Sequence, residues 1–509
     1  MGAIIYDLTL DEINSSSLQG AAPSWIGPHP RGMQIVGDEG GYRETFVVRR
    51  EDHLLVGNTL SELLPEMSAA GEPGMIDPFG VTHVVDTGFV PLPYTEFRDV
   101  YRVTSGDSVV AASVSGEVRV EVESDYPWMH AKSREDQSPS TERLLQFIIS
   151  STERQLDSCR GSGLLMMSSG KDSVALAVAL AEAGRAIPCF TFKSSPDDNE
   201  HVVAEEFCRK LGLEHATLEM PRNPMVIRRN LTDFFENAPA PSGDHATIPM
   251  IVSVAASGVS SGGIIDGGGN DAYMGFVASS AKRFKQRFRI RNRRLAELTG
   301  RVVKVDSPIN YLARSMVGAA LPGRSLRYHE TKQFYPEAIN SDDYWYEQST
   351  NLEGRDIMDV MTLALRHTET ARANLKVRLV AESLSMTAVL PFCDKDLANY
   401  CFHLPAAARF DASTYTNKLL LRKLLKEKIG YDPAKVGRGH FSFDGITFLQ
   451  TNTEFVREEI LSCDLWEPAI EPMLDDWLSA LHRRPYIWHV LIPLFMVSGW
   501  HNHSRFLAR

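Results

Sequence analysis

Apolar and polar positions change rhythm most sharply at residues 163–184. The run Leu164-Leu165-Met166-Met167 has the length of a buried strand, stops at Ser168-Ser169-Gly170, and is followed by an Ala/Val/Leu pattern at helical spacing up to Gly184. This predicts strand, tight turn, helix. Cys189-Phe190-Thr191-Phe192-Lys193 reads as a second buried strand, Glu200 to Leu211 as an amphipathic helix with Val203, Phe207 and Leu211 on one face, and Glu214-His215-Ala216-Thr217-Leu218 as a further strand. Gly262-Gly263-Ile264-Ile265 then runs into Asp266-Gly267-Gly268-Gly269-Asn270-Asp271, again strand, glycine turn and acid. Strands alternating with helices of this length predict an α/β fold, a doubly wound parallel sheet with ligands at the carboxyl ends of its strands.

The flanks read differently. Residues 1–125 are strand-rich and turn-punctuated, with Thr45–Val48, His53–Gly57 and Ser108–Ala112 as short strands. Residues 126–141 turn polar and read as a linker, and helical periodicity from Glu142 to Leu156 opens a second domain over 142–509. From Val305 onward the pattern is largely helical, with Trp466, Trp477, Trp488 and Trp500 expected as packing residues.

At 509 residues the chain has room for two to four cores, and a net charge of −12 argues against a general nucleic-acid binder. No apolar run is long enough to span a membrane, and no secretory or myristoylation signal is visible, so a cytoplasmic protein without membrane association is expected. The six cysteines lack a metal-ligand spacing, which fits buried free thiols in a reducing compartment.

The turn carries the chemistry. Backbone N–H groups, the hydroxyls of Ser168, Ser169 and Ser173 and the positive end of the helix suit an anion such as pyrophosphate. Asp172 would repel that anion unless Mg²⁺ stands between them, and Asp271 is positioned to supply a second carboxylate. Gly267, Gly268 and Gly269 allow close backbone approach to a phosphate or ribose.

Ser-Ser-Gly-Lys-Asp-Ser at 168–173 resembles the Ser-Gly-Gly-x-Asp-Ser signature of the PP-loop ATP pyrophosphatases, with Ser169 in place of the first glycine. The glycine loop at 267–271, Val389-Leu390-Pro391-Phe392-Cys393-Asp394-Lys395-Asp396-Leu397, and Asn417-Lys418-Leu419-Leu420-Leu421-Arg422 followed by Gly437-Arg438-Gly439-His440-Phe441-Ser442 resemble, in order, the later motifs of asparagine synthetases. Thr87–Phe97 and Val100–Val103 resemble the end of that family's N-terminal glutaminase domain. The glutaminase nucleophile of those enzymes is a cysteine directly after the initiator Met; here Gly2 stands there and the first cysteine is Cys159. The resemblance therefore implies a vestigial, β-rich glutaminase-like domain ahead of an ATP-binding synthetase domain.

It also implies a chemistry in which a carboxylate attacks the α-phosphorus of ATP, pyrophosphate leaves, and an amine displaces AMP. Lys171, Lys418 and Arg438 are the catalytic candidates; Ser168, Ser169, Gly170, Asp172, Ser173, Phe192 and Gly267–Gly269 would hold the nucleotide, and Asp172 and Asp271 the Mg²⁺. Arg438 falls where the family has a lysine, so a clamp is retained without a proton donor. Two family acids are missing, with Gly268 and Thr387 in their places, and His440, His245 or Tyr273 are alternatives as base or as structural residues. This departs from asparagine formation and from β-lactam synthetases and fits lasso peptide cyclases, which join a peptide's N-terminal amine to an Asp or Glu side chain. A precursor peptide and a leader-binding or protease partner would then be expected. Ammonia-dependent amidation of a small or sugar carboxylate and a non-catalytic nucleotide-binding subunit are the alternatives. The basic run Lys282–Arg294 reads either as a solvated face or as a dock for an acidic peptide or partner.

Overall fold

The computed structural model describes residues 6–15, 25–69, 74–159, 161–193, 199–259, 262–275, 279–281, 283–284, 288, 315–321, 326–352, 354–432 and 443–507. Its N-terminal part holds two four-stranded antiparallel sheets. One has the order β1 (Tyr6–Thr9), β5 (His53–Gly57), β4 (Thr45–Arg49), β6 (Val100–Val103); the other β2 (Ile26–His29), β3 (Gly32–Val36), β7 (Asp107–Val114), β8 (Glu117–Ser124). Alternation along these strands supplies a core between the sheets that includes Ile35, Val47, Leu54, Val56, Val103 and Val109. Among the described residues three α-helices, Leu10–Ser15, Leu60–Ala69 and Pro78–Thr87, add to the strands that the pattern predicts.

The second sheet is parallel throughout, in the order β11 (His215–Glu219), β10 (Cys189–Lys193), β9 (Gly163–Met166), β12 (Gly263–Ile265), β13 (Thr387–Val389). Neighbouring residues in its strands face opposite sides. Leu165, Ile265 and Val389 enter a core with helices Thr141–Asp157, Lys171–Glu182, Glu200–Leu211 and Leu419–Ile429. Leu164 and Ile264 enter another with helices Pro224–Asn237, Thr247–Ala256, Leu375–Ser383 and the apolar Trp488–His503. Helices thus cover both faces, which is why these strands read as continuous apolar runs. The chain leaves β9 for β10 and β11 on one side and returns to β12 on the other, so the switch point lies between β9 and β12.

The two parts share a core. Phe46, Val48, Leu55 and Phe97 pack in the same cluster as Trp500, whose ring meets Phe97 edge-on at 5.8 Å. The buried Arg366 pairs with Asp107, and the Glu44 carboxylate lies 3.4 Å from Arg378 and 3.8 Å from Arg102. Residues 126–141, expected as a linker, are packed down in the structure: Tyr126 and Trp128 are buried, the Ser133 hydroxyl donates to the Phe402 carbonyl, and the Arg134 and Gln137 amides donate to His403. Their polarity serves hydrogen bonds to protein. Among the described residues no helix is long and apolar enough to cross a membrane. Trp466 and Trp500 are buried, and Trp477 and Trp488 pack against the core from its edge. Five cysteines are buried and Cys159 is half-buried, none in a disulfide.

Candidate active site

Both acidic turns lie at the switch point. β9 ends into Ser168–Gly170, and the helix begins at Lys171 with Gly170 as its N-cap. Much of this turn is satisfied internally. The Ser168 amide donates to Ser173 Oγ at 3.0 Å, the Ser173 hydroxyl donates to the Ser168 and Gly170 carbonyls at 3.1 Å, and the Gly170 amide donates to Ser168 Oγ at 3.1 Å. Ser169 donates from its amide at 3.1 Å and its hydroxyl at 3.0 Å to the carboxylate of Glu200, the first residue of its helix. In the structure, then, these two donors of the turn are taken by a carboxylate of the protein itself. Phe192 lies two residues beyond the Phe190–Met166 pair on β10, level with the turn, and is buried.

From β12 the glycine loop runs alongside. A Cβ on Gly267 would stand 3.1 Å from Asp172 Cβ and 3.1 Å from the Ser173 amide, so glycine is what lets the two turns touch. A Cβ on Gly268 would reach 2.6 Å from Asn374 Oδ1, and one on Gly269, where φ is +104°, 2.6 Å from Cys393 Sγ. The close approach these glycines permit in the structure is therefore to protein. At Gly268, where the resemblance leads one to expect an acid, the amide of Asn374 already fills the space.

Asp172 and Asp271 come together through Lys418. Its ammonium donates to both carboxylate oxygens of Asp172 at 2.9 Å, to Asn270 Oδ1, and to Asp271 Oδ1 at 2.6 Å. Asn270 Nδ2 donates in turn to Asp172 Oδ1 at 2.8 Å. Lys418 stands between the short strand Thr416–Asn417 and helix Leu419–Ile429 in the left-handed region, φ 55°, a strained conformation for a non-glycine residue that sends its side chain back into the site. Burial works against the charge of Lys418, and the two carboxylates outweigh it and hold the ammonium above the usual lysine range. Burial likewise opposes ionisation of Asp271, yet Lys418 keeps it below the usual carboxylate range. Lys171, half-buried beside them, is pushed down by burial and by the Lys418 charge.

The residues fit Mg²⁺ in the manner usual for that ion. Asp172, Asp271 and Asn270 turn hard oxygens toward one point, and among the described residues no group of three His, Cys, Asp or Glu forms an all-protein cage. Mg²⁺ is commonly held by one or two carboxylates with substrate phosphates completing its shell.

One ionisable residue of the site escapes motif reading. Glu369 Oε1 accepts from the Asp271 amide at 2.8 Å, and Oε2 from the Ala272 amide at 3.2 Å. Burial, reinforced by the neighbouring Asp271 carboxylate, pushes Glu369 up to about 8. It belongs to His367–Asn374, a π-helical segment between helices Ile357–Arg366 and Leu375–Ser383, which also carries Asn374. Such segments interrupt helices at functional sites. The available sequence signal was polar Thr368-Glu369-Thr370 inside an apolar helical pattern.

The other candidates are placed elsewhere. The buried Tyr273 hydroxyl donates to the Phe392 carbonyl at 2.6 Å, and burial pushes its phenol well above the ordinary value, which marks a packing residue. His245 is held below the usual histidine range by burial, near Arg372 and stacked on Phe443. Asp394 of the third motif caps helix Lys395–Phe402 by accepting from the Asp396 and Leu397 amides. Thr387 lies in β13 paired with Gly263. Arg438, His440 and most of Lys282–Arg294 lie outside the described residues; Arg283 sits 3.6 Å from Asp356.

No curated protein matches this sequence. The family model for asparagine synthase matches residues 144–438, which span the parallel sheet, both acidic turns, Glu369 and Lys418. That is more than half of the chain, and with the geometry above it shows that this protein belongs to the asparagine synthase family of ATP-dependent ligases.

Proposed function

We propose that this protein adenylates a carboxylate with ATP, releasing pyrophosphate, and passes the acyl group to a peptide amine, closing a macrolactam in a precursor peptide. In the first step the turn Ser168–Ser173 receives the phosphates, with Phe192 and Gly267–Gly269 bounding the nucleotide and Lys171, Lys418 and Arg438 countering negative charge at the phosphates. Mg²⁺, held by Asp172 and Asp271, supplies further neutralisation when bound.

Glu369 carries the second step. An amine must lose a proton as it attacks, and a base works best when its own pKa lies near that of the group it serves and near the working pH. Glu369, whose carboxyl burial pushes up to about 8, would be available near neutral pH to take that proton. The N-terminal sandwich offers no alternative amine source, because residues 1–158 contain no cysteine to release ammonia from glutamine. A substrate bringing its own amine fits that lack, and a leader-binding or protease partner would present it.

The test is ATP–pyrophosphate exchange by the purified full-length protein with MgATP, against ammonia, amino acids, uronic acids and linear peptides bearing an internal Asp or Glu. Exchange with acidic peptides, followed by a product lighter by one water, supports the reading. Exchange with a small acid and ammonia would replace macrolactam closure by simple amidation, and ATP binding without exchange would favour a non-catalytic subunit.

A further inference from the structure

We propose that Lys418 is the resident cation of the Asp172/Asp271 site: its ammonium and a divalent metal compete for the same oxygens, so the protein alone excludes the metal and accepts it only in exchange for the ammonium. This rests on the ATP site described above and is independent of the carboxylate and amine.

The ammonium is saturated. Its three N–H groups face four acceptors, two on Asp172 and one each on Asn270 and Asp271. These are the oxygens a Mg²⁺ would take, and they surround a single point. A metal bound to these oxygens would compete with the ammonium for them, and two cations cannot share them closely without strong repulsion. The lysine is held there by more than the ion pairs. Its side chain is 2% exposed, and its backbone is locked by the left-handed turn and by the Arg422 amide donating to the Lys418 carbonyl. Lys171, a like charge nearby, works against the ammonium and is outweighed by the two carboxylates, and Glu369 accepts from the Asp271 amide from the opposite element.

A metal arriving alone would therefore have to expel a well-bound ammonium and would offer it no new partner. ATP changes this, because its phosphates bring both ligands for the metal and negative charge for the displaced lysine. Loading is thus ordered: metal enters with nucleotide. The lysine guards the carboxylates until then.

The experiment is Mn²⁺ binding to the full-length protein without nucleotide, read from the electron paramagnetic resonance signal of free Mn²⁺. Wild type is expected to bind only in the millimolar range. Lys418→Met and Lys418→Gln are expected to bind at least ten-fold more tightly and to gain several degrees in melting temperature on adding Mn²⁺. Adding Asp172→Asn to either variant should remove that binding. Equal or weaker Mn²⁺ binding by a folded Lys418 variant overturns the proposal. Wild type alone provides a second measurement that needs no variant to fold: an unchanged melting temperature in millimolar Mn²⁺ supports competition, and a rise of several degrees that Asp172→Asn abolishes overturns it. Because no substrate is used, the result stands whether or not acyl transfer is found.

Discussion

Two clusters of enclosed charge in this protein use the same residue types to opposite ends. At the seam between the sandwich and the parallel sheet, Arg366 and Asp107 are 3% and 0% exposed and matched one to one, and Arg366 also donates to Ser124 Oγ at 2.8 Å. At the switch point Lys418 is 2% exposed, but its partners Asp172 and Asp271 are 26% and 47% exposed and outnumber it. The Arg366–Asp107 pair is closed to solvent. The site leaves its carboxylates partly open to solvent with Lys418 and the neighbouring Lys171 beside them, so a metal can enter there only by exchange. Burial alone does not mark function; carboxylates shared by one lysine at an accessible edge do.

The comparison breaks most visibly at Asp172. Asp172→Asn should lower ATP–pyrophosphate exchange on the order of 10³-fold, about 4 kcal/mol of transition-state stabilisation, with the protein still folded because Asp271 and Asn270 continue to hold Lys418. Arg366→Ala should do the reverse. Leaving Asp107 buried without its partner costs about 3–5 kcal/mol of stability in a denaturant melt, while exchange per folded molecule is retained. A seam variant that lost exchange without losing stability would erase the distinction.

Glu369→Gln sharpens it within the site, because it should slow amide formation about 10²-fold, roughly 3 kcal/mol, and spare pyrophosphate exchange. Wild-type amide formation should rise with pH toward about 8 as Glu369 ionises, and the variant should lose that limb. The sign for stability is opposite. Glu369 is raised from 4.5 to about 8, so across that window the folded chain holds the proton that the unfolded chain has released. Stability conferred by the protonated form is complete below about 4.5 and is lost as pH rises through about 8, and Glu369→Gln should flatten this slope in melts taken across the range. The smallest effect is expected at Gly268→Ala, whose methyl would stand 2.6 Å from Asn374 Oδ1; a loss of about 1–3 kcal/mol is expected, relieved in the double variant with Asn374→Ala.

The strand–turn–helix at 163–182 and the glycine loop after β12 were legible because each is written by neighbours: a short apolar run, a turn without bulky side chains, then helical spacing. Helix Glu200–Leu211 appears at its expected boundaries for the same reason. The segment 126–141 was misread because polarity alone cannot tell hydrogen bonds to water from hydrogen bonds to His403 and Phe402. Only tertiary structure brought Glu369 to the amide of Asp271, across 98 residues of chain, and seated Asn374 where Gly268 leaves room. A π-helical segment has no spacing of its own that an apolar pattern would reveal, and the contact it makes depends on where the parallel sheet places its strand ends. The sequence by itself determined the acidic turns and the layered sheet, since local periodicity and burial on both faces dictate them. The partner of each acid, the cation that occupies their midst and the Glu369 carboxyl beside them were decided by packing, because those are relations between elements far apart in the chain.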